Sequence, residues 1–132
     1  MARTPGLEGE EHLAPLQSRY VSVEGLPWKP TPTPGIDMKV LLEDKESGLL
    51  TALFRWQPGT ELPLHQHVEI EQTYVLSGSI VDDEGVVREG DYVWRPKGNR
   101  HIARSPDGAL VISFFLKPNK FLLGELAGSE LR

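Results

Sequence analysis

The chain has 132 residues and a formal net charge of −5, and 39 % of its residues are hydrophobic. That is enough for one core, and no basic face exists to neutralise phosphates, which excludes nucleic acid and anionic membranes as expected partners. Cysteine is absent, which excludes disulfides, thiolate metal sites and cysteine nucleophiles and is compatible with a cytoplasmic setting.

The first residues are polar and acidic and lack the apolar stretch of a secretory signal, and no apolar run is long enough to span a bilayer. The 13 glycines and 11 prolines fall largely between apolar runs, a pattern of short strands and tight turns. Residues 1–19 read as an irregular segment or an arm on a partner subunit. Tyr20 to Val23 is a short strand candidate. Pro27, Pro30, Pro32 and Pro34 then exclude a helix and a central strand, leaving a rigid loop or one that crosses an edge strand with Trp28 as its anchor.

Ile36 to Glu43 and Leu49 to Gln57 are strands joined by the charged turn Asp44–Gly48. Pro58-Gly59 turns the chain, and residues 60–68 form a loop or short strand. Glu71 to Leu76 is a strand that Ser77-Gly78 ends or bends. Ser79 to Val81 and Val86 to Arg88 flank the hairpin turn Asp82–Gly85. Tyr92 to Arg95 ends at Pro96, His101 to Arg104 is short, and Ala109 to Leu116 is the most apolar strand. One helical turn is expected around Phe121 to Leu126. Roughly eight to ten short strands with glycine-rich turns predict an all-β sandwich or barrel. The expected organisation is an arm over 1–19, a single domain over 20–118 and a tail over 119–132.

Histidine is scarce, and three of the 4 cluster in a chemically suggestive pattern. His65 and His67 point to one side of an extended segment, and Glu71, Thr73 and Val75 share a parity after the turn at 68–70. His101 follows the Pro96–Gly98 turn. Imidazoles with a carboxylate are ligands for Fe(II), Mn, Zn, Ni, Co or Cu in a site with open positions. A bare His-x-His is more often a surface or hydrogen-bonded pair, and His12 reads as solvated.

The spacing carries a resemblance. Gly59, five residues, His65-x-His67, three residues, Glu71, six residues and Gly78 resemble the first cupin motif. Gly90, five residues, Pro96-x-Gly98, two residues and His101 resemble the second, with Ser105 where that motif usually has Asn. The resemblance implies a double-stranded β-helix, the jelly-roll cupin barrel, with one divalent metal ion per subunit held by His65, His67, Glu71 and His101. The Trp28…Pro34-Gly35 loop, Lys39-Val40-Leu41 and Leu53-Phe54-Arg55 are similar to the subgroup of acetylacetone-cleaving dioxygenases and ChrR-type anti-sigma cupin domains. In the dioxygenases a three-histidine iron site cleaves a β-diketone with O₂, and the carboxylate position is not a ligand.

The expected function is therefore a dioxygenase that cleaves a C–C bond in a small diketone-like or enolisable substrate, with Fe(II). A metal-dependent isomerase or decarboxylase and a non-enzymatic small-molecule-binding cupin are the rivals. Glu71, Arg55 and Thr73 are the catalytic candidates: Thr73 by parity, and Arg55 because it lies in an otherwise apolar strand and could bind a substrate carboxylate. Arg95, Arg100 and Arg104 read as solvated edge residues. Tyr74, Trp56, Trp94, Phe114 and Phe115 read as wall, core or interface. A homodimer or higher homo-oligomer is expected, through an open sheet edge or the proline-rich arm.

Overall fold

The computed structural model describes residues 1–117 and 119–121, the side chains of 120 and 121 excepted. The described strands are β1 (Lys29–Pro30), β2 (Ile36–Asp44), β3 (Leu49–Trp56), β4 (Thr60–Gln66), β5 (Glu71–Val81), β6 (Val86–Arg88), β7 (Tyr92–Arg95), β8 (Arg100–Ser105), β9 (Ala109–Phe115) and β10 (Lys120–Phe121). All pairings are antiparallel, and the strands curl into a jelly roll. One wall runs β1-β2-β3-β9-β5-β7 and the other β6-β5-β8-β4-β10.

β5 belongs to both walls. Glu71 to Gly78 pair with β9, whereas Ser79 to Val81 pair with β6 and Val81 with Arg104 of β8. The register slips between Val75 and Ser77, and Gly78 follows with φ of 76°. A β-bulge bends a strand and increases its twist, which turns β5 from one wall to the other. Gly78 also permits close approach: a Cβ there would lie 2.0 Å from the carbonyl oxygen of Gly108.

Period-two alternation fills the interior. Leu50, Ala52, Phe54 and Trp56 of β3 are buried, as are Val75 of β5 and Val111 and Phe115 of β9. Leu62, Ala103, Ile80 and Val87 meet them from the opposite wall. The reverse face keeps several large apolar side chains outside. Gln72 lies opposite both Trp94 and Phe114, and Tyr74 lies opposite Tyr92 and Ile112. Trp94, Phe114, Tyr74 and Tyr92 are all exposed.

Tyr20 to Ser22 form no strand, and Val23–Gly25 is a 3₁₀ turn. A strand needs a partner edge more than it needs β-favouring residues. The edge of β2 is occupied by Lys29 and Pro30, paired with Met38 and Asp37. Proline suits such an edge, where its missing N–H interrupts no ladder. Trp28 lies over this face between two cations, with Arg55 Cζ 4.1 Å and Lys39 Nζ 4.9 Å from its ring centroid. Farther along, Arg3 exchanges two backbone hydrogen bonds of 2.8 Å with Glu43, so the N-terminal segment lies on its own chain's β2. At the other end, Phe121 pairs with His65 in a strand; residues 122–126 of the expected helical turn lie outside the described residues.

The Gly78→Ala substitution combines a positive φ with a backbone clash. It should lower stability by about 2 kcal/mol or more, read as a lower urea midpoint at unchanged slope.

Candidate metal centre

The site begins with the pairing of β4 and β8, which sets His65 opposite His101. His67 stands one residue beyond β4. Its N–H donates to Asn99 O at 2.8 Å, and its carbonyl accepts from Gly98 N–H at 2.7 Å. The turn that delivers His101 therefore also pins His67. All three rings are buried, with His67 at 0 % exposure. Ring centroids are 4.3 Å apart for His65 and His101, 4.9 Å for His67 and His101, and 5.0 Å for His65 and His67.

Each histidine has a neighbour at its outer nitrogen. His65 Nδ1 donates to Pro63 O at 2.8 Å. His101 Nδ1 donates to Asp82 Oδ2 at 2.9 Å. His67 Nδ1 lies 2.8 Å from Glu71 Oε2, although off the line of a hydrogen bond. A ring that donates through Nδ1 keeps its lone pair on Nε2. His67 Nε2 and His101 Nε2 approach to 2.9 Å. At that distance either one ring donates an N–H to the other or both nitrogens turn their lone pairs on one cation. Donor atoms of His65, His67 and His101 all lie within 4.8 Å of one another. Three buried imidazoles with converging ring nitrogens, two of them held through Nδ1 by Pro63 O and Asp82, fit a divalent metal ion.

Protonation favours the same assignment. Burial pushes His65 down to about 3, with the neighbouring His101 adding to the shift. Burial, then the Arg95 charge, lowers His101 to about 4, while Asp82 pulls the other way. For Glu71, burial raises the carboxyl, but His67, His65 and Arg95 outweigh it and leave about 2. Both histidines are thus neutral at pH 7, each with a single N–H, and the carboxylate is ionised.

The two carboxylates stand at opposite ends of β5: Glu71 is its first residue and Asp82 follows its last. Arg95 Nη1 lies 2.7 Å from Asp82 Oδ2, while Asp82 Oδ1 accepts from the N–H groups of Glu84 and Gly85. The acidic turn is therefore a turn and a histidine-orienting group at once. Thr73 is buried and lies 3.1 Å from Glu71 Oε1 through its hydroxyl, and 2.8 Å from Ser113 Oγ. Asn119 Nδ2 reaches Glu71 Oε2 at 3.4 Å. A cavity of about 50 Å³ opens among His65, His101, Glu71, Thr73, Ser113 and Asn119, closed by Phe54, Trp56, Val111 and Phe115.

Arg55 is not brought to this cavity. Its parity is opposite to that of Phe54 and Trp56, and its guanidinium lies outside, 3.2 Å from Asp37 Oδ2 and over Trp28. Arg95 is the arginine that lines the cavity. Of the aromatic residues, Trp56 and Phe115 form wall, whereas Trp94 and Phe114 face outward. Asp82, Ser113 and Asn119 are site residues that sequence patterning did not single out. Asp82 had a signal: once the bulge shifts the parity of β5, Ile80 and Asp82 continue its inward face.

Replacing Asp82 by Asn should weaken divalent-metal affinity about 10- to 100-fold in a chelator competition titration, because His101 loses its charged partner. The metal-free protein should lose stability on acidification. His101 and His65 take up protons near the ordinary 6.5 only when unfolded. Stability is therefore full above pH 6.5 and falls as pH drops towards about 4 and about 3. The slope is at most about 1.4 kcal/mol per pH unit per histidine, measured as the urea midpoint at pH 7.5 and pH 5.

The family profile described as ChrR Cupin-like domain matches residues 16–120. Among curated proteins none matches the sequence. The fold is similar to that of a proposed acetylacetone dioxygenase from Methylibium petroleiphilum PM1, with a TM-score of 0.77, 23 % identity and 90 % of each chain covered. It is similar also to an acetylacetone dioxygenase from Acinetobacter johnsonii, with a TM-score of 0.71 and 18 % identity over 88 % of this chain and 84 % of that one. A third likeness is to the Rhodobacter sphaeroides complex of SigE with the anti-sigma ChrR, with a TM-score of 0.61 and 19 % identity over 70 % of this chain and 50 % of that one. Identities this low establish the fold alone. The profile match spans most of the sequence, and the chain belongs to the ChrR cupin-like domain family.

Proposed function

We propose that this chain is a mononuclear metal-dependent dioxygenase that uses Fe(II) and O₂ to cleave a C–C bond in a small, enolisable, diketone-like molecule. The observation that carries the reading is the convergence of three buried histidine nitrogens beside a largely apolar cavity. When bound, the metal supplies Lewis acidity towards a pair of substrate oxygens and, as Fe(II), reactivity towards O₂.

His65, His67 and His101 hold the metal in this reading. Glu71 and Asp82 orient His67 and His101 from outside, as second carboxylate neighbours commonly do for metal-bound imidazoles. Glu71 as a fourth ligand is the alternative assignment. Thr73 holds the Glu71 carboxylate in place. Phe54, Trp56, Val111 and Phe115 exclude water from the reacting end of the substrate. The exposed aromatic face of Trp94, Phe114, Tyr92 and Tyr74 supports a homodimer.

That same face, on a chain of this family, favours a second reading, a small-molecule-binding domain that signals to a protein partner without turnover. A zinc-dependent isomerase or decarboxylase would use the same donors.

Oxygen uptake by Fe(II)-loaded protein with acetylacetone, together with elemental analysis of protein purified without added metal, separates these readings. Iron should be retained and O₂ consumed, and His65→Ala or His101→Ala should abolish uptake. Full zinc occupancy without O₂ uptake would overturn the dioxygenase reading. In the Glu71→Ala variant, metal retained near full stoichiometry would assign the ligands to the three histidines, and loss of metal would assign Glu71 as the fourth.

A further inference from the structure

Four polar side chains on the cavity wall beside the histidines, Glu71, Thr73, Ser113 and Asn119, are joined by hydrogen bonds to one another. Thr73 Oγ1 lies 3.1 Å from Glu71 Oε1 and 2.8 Å from Ser113 Oγ. A hydroxyl has one hydrogen and a carboxylate can only accept, so Thr73 donates to Glu71. Ser113 must then donate to Thr73, which leaves Ser113 Oγ with lone pairs alone.

Asn119 completes the pattern. It is 1 % exposed and lines the same cavity. Its Nδ2 donates to Glu71 Oε2 at 3.4 Å. Turning the amide over would set Oδ1 against a carboxylate oxygen, so Glu71 fixes which end of the amide faces it. Oδ1 is left buried, with no hydrogen-bond partner among the described residues. A buried carbonyl oxygen without a partner costs stability until a donor reaches it. Arg95, the one cation lining the cavity among the described residues, has its Nη1 2.7 Å from Asp82.

Resting on the metal-dependent reading above, we propose that this wall selects ligands carrying an O–H or N–H donor beside their metal-binding oxygens, with Asn119 Oδ1 as the specificity-determining acceptor. A ligand carboxylate there would meet Glu71, and a ketone would set lone pairs against Oδ1. The favoured class is a small neutral molecule in its enol or hydroxy form, not the diketo form.

The test uses the full chain loaded with Co(II), titrated with acetohydroxamate and N-methylacetohydroxamate and followed by the visible cobalt spectrum. Both probes chelate through two oxygens, and only the first carries an N–H between them. Acetohydroxamate should bind at least about tenfold more tightly, the scale of one hydrogen bond to an otherwise unpaired buried group. In Asn119→Leu, similar in size but without an acceptor, the two affinities should agree within about twofold. If that variant fails to fold by circular dichroism, Asn119→Ala takes its place with the same two outcomes. Equal binding by the unaltered protein, or a preference that survives the substitution, would overturn the role of Asn119 while leaving the metal reading intact. If the protein takes up no Co(II), the metal reading fails and the proposal with it; if Co(II) binds and neither probe perturbs its spectrum, the proposal alone is overturned.

Discussion

The contact that governs this molecule is the approach of His67 Nε2 to His101 Nε2 at 2.9 Å. Two buried imidazole nitrogens that face each other are reconciled by an N–H donated from one to the other or by a cation that both bind. Burial makes protonation of His101 costly, so a divalent ion bound by both nitrogens suits the pair better than an added proton. The surroundings serve that arrangement. Pro63 O, Asp82 and Glu71 occupy the outward nitrogens, and Arg95 holds Asp82. The apolar wall keeps water from screening any of it.

Much of this was legible in the sequence because period two is a strong constraint. The parity of His65 and His67 followed from the extended chain between them, and both are buried. Turn chemistry placed the strand boundaries: Asp44–Gly48, Asp82–Gly85 and Pro96–Gly98 each carry residues suited to tight reversals. Other features depended on tertiary choices that no local pattern encodes. Arg55 looked inward because its strand is apolar, yet Trp28 and Asp37 on the outer face offer it stacking and charge. Tyr20 to Ser22 had β-favouring residues and no free edge to pair with. Asn119 looked like the start of a tail because Pro118 ends the preceding strand, and its burial depends on β10 returning to β4. The role of Asp82 was hidden behind a bulge that shifts parity by one: Ser77-Gly78 marks a bend or an end, and only the structure shows that the strand continues through it.

The site also explains why the interior of an otherwise apolar barrel contains Thr73 and Ser113. Two hydroxyls at 2.8 Å satisfy each other and carry a directed hydrogen bond to Glu71. Without that relay, Glu71 Oε1 would be buried with no donor among the described residues, a cost larger than the small gain from each hydrogen bond taken alone. Direction matters as much as satisfaction, because a chain of donors that ends at a carboxylate leaves only acceptors at its origin.

β5 has a mechanical meaning beyond its place in two walls. An extended run of its 11 residues would hold its ends about 35 Å apart. Here Glu71 and Asp82 are joined instead by contacts of 2.8, 2.9 and 2.9 Å through His67 and His101. The bent strand thus brings a carboxylate from each of its ends to the histidine cluster, and an ion bound there would tie the two ends together through His67 and His101. Such a link resembles a reversible crosslink, which restricts the unfolded chain as well as joining the folded one. An ion held there would add its binding free energy to the stability of the folded barrel.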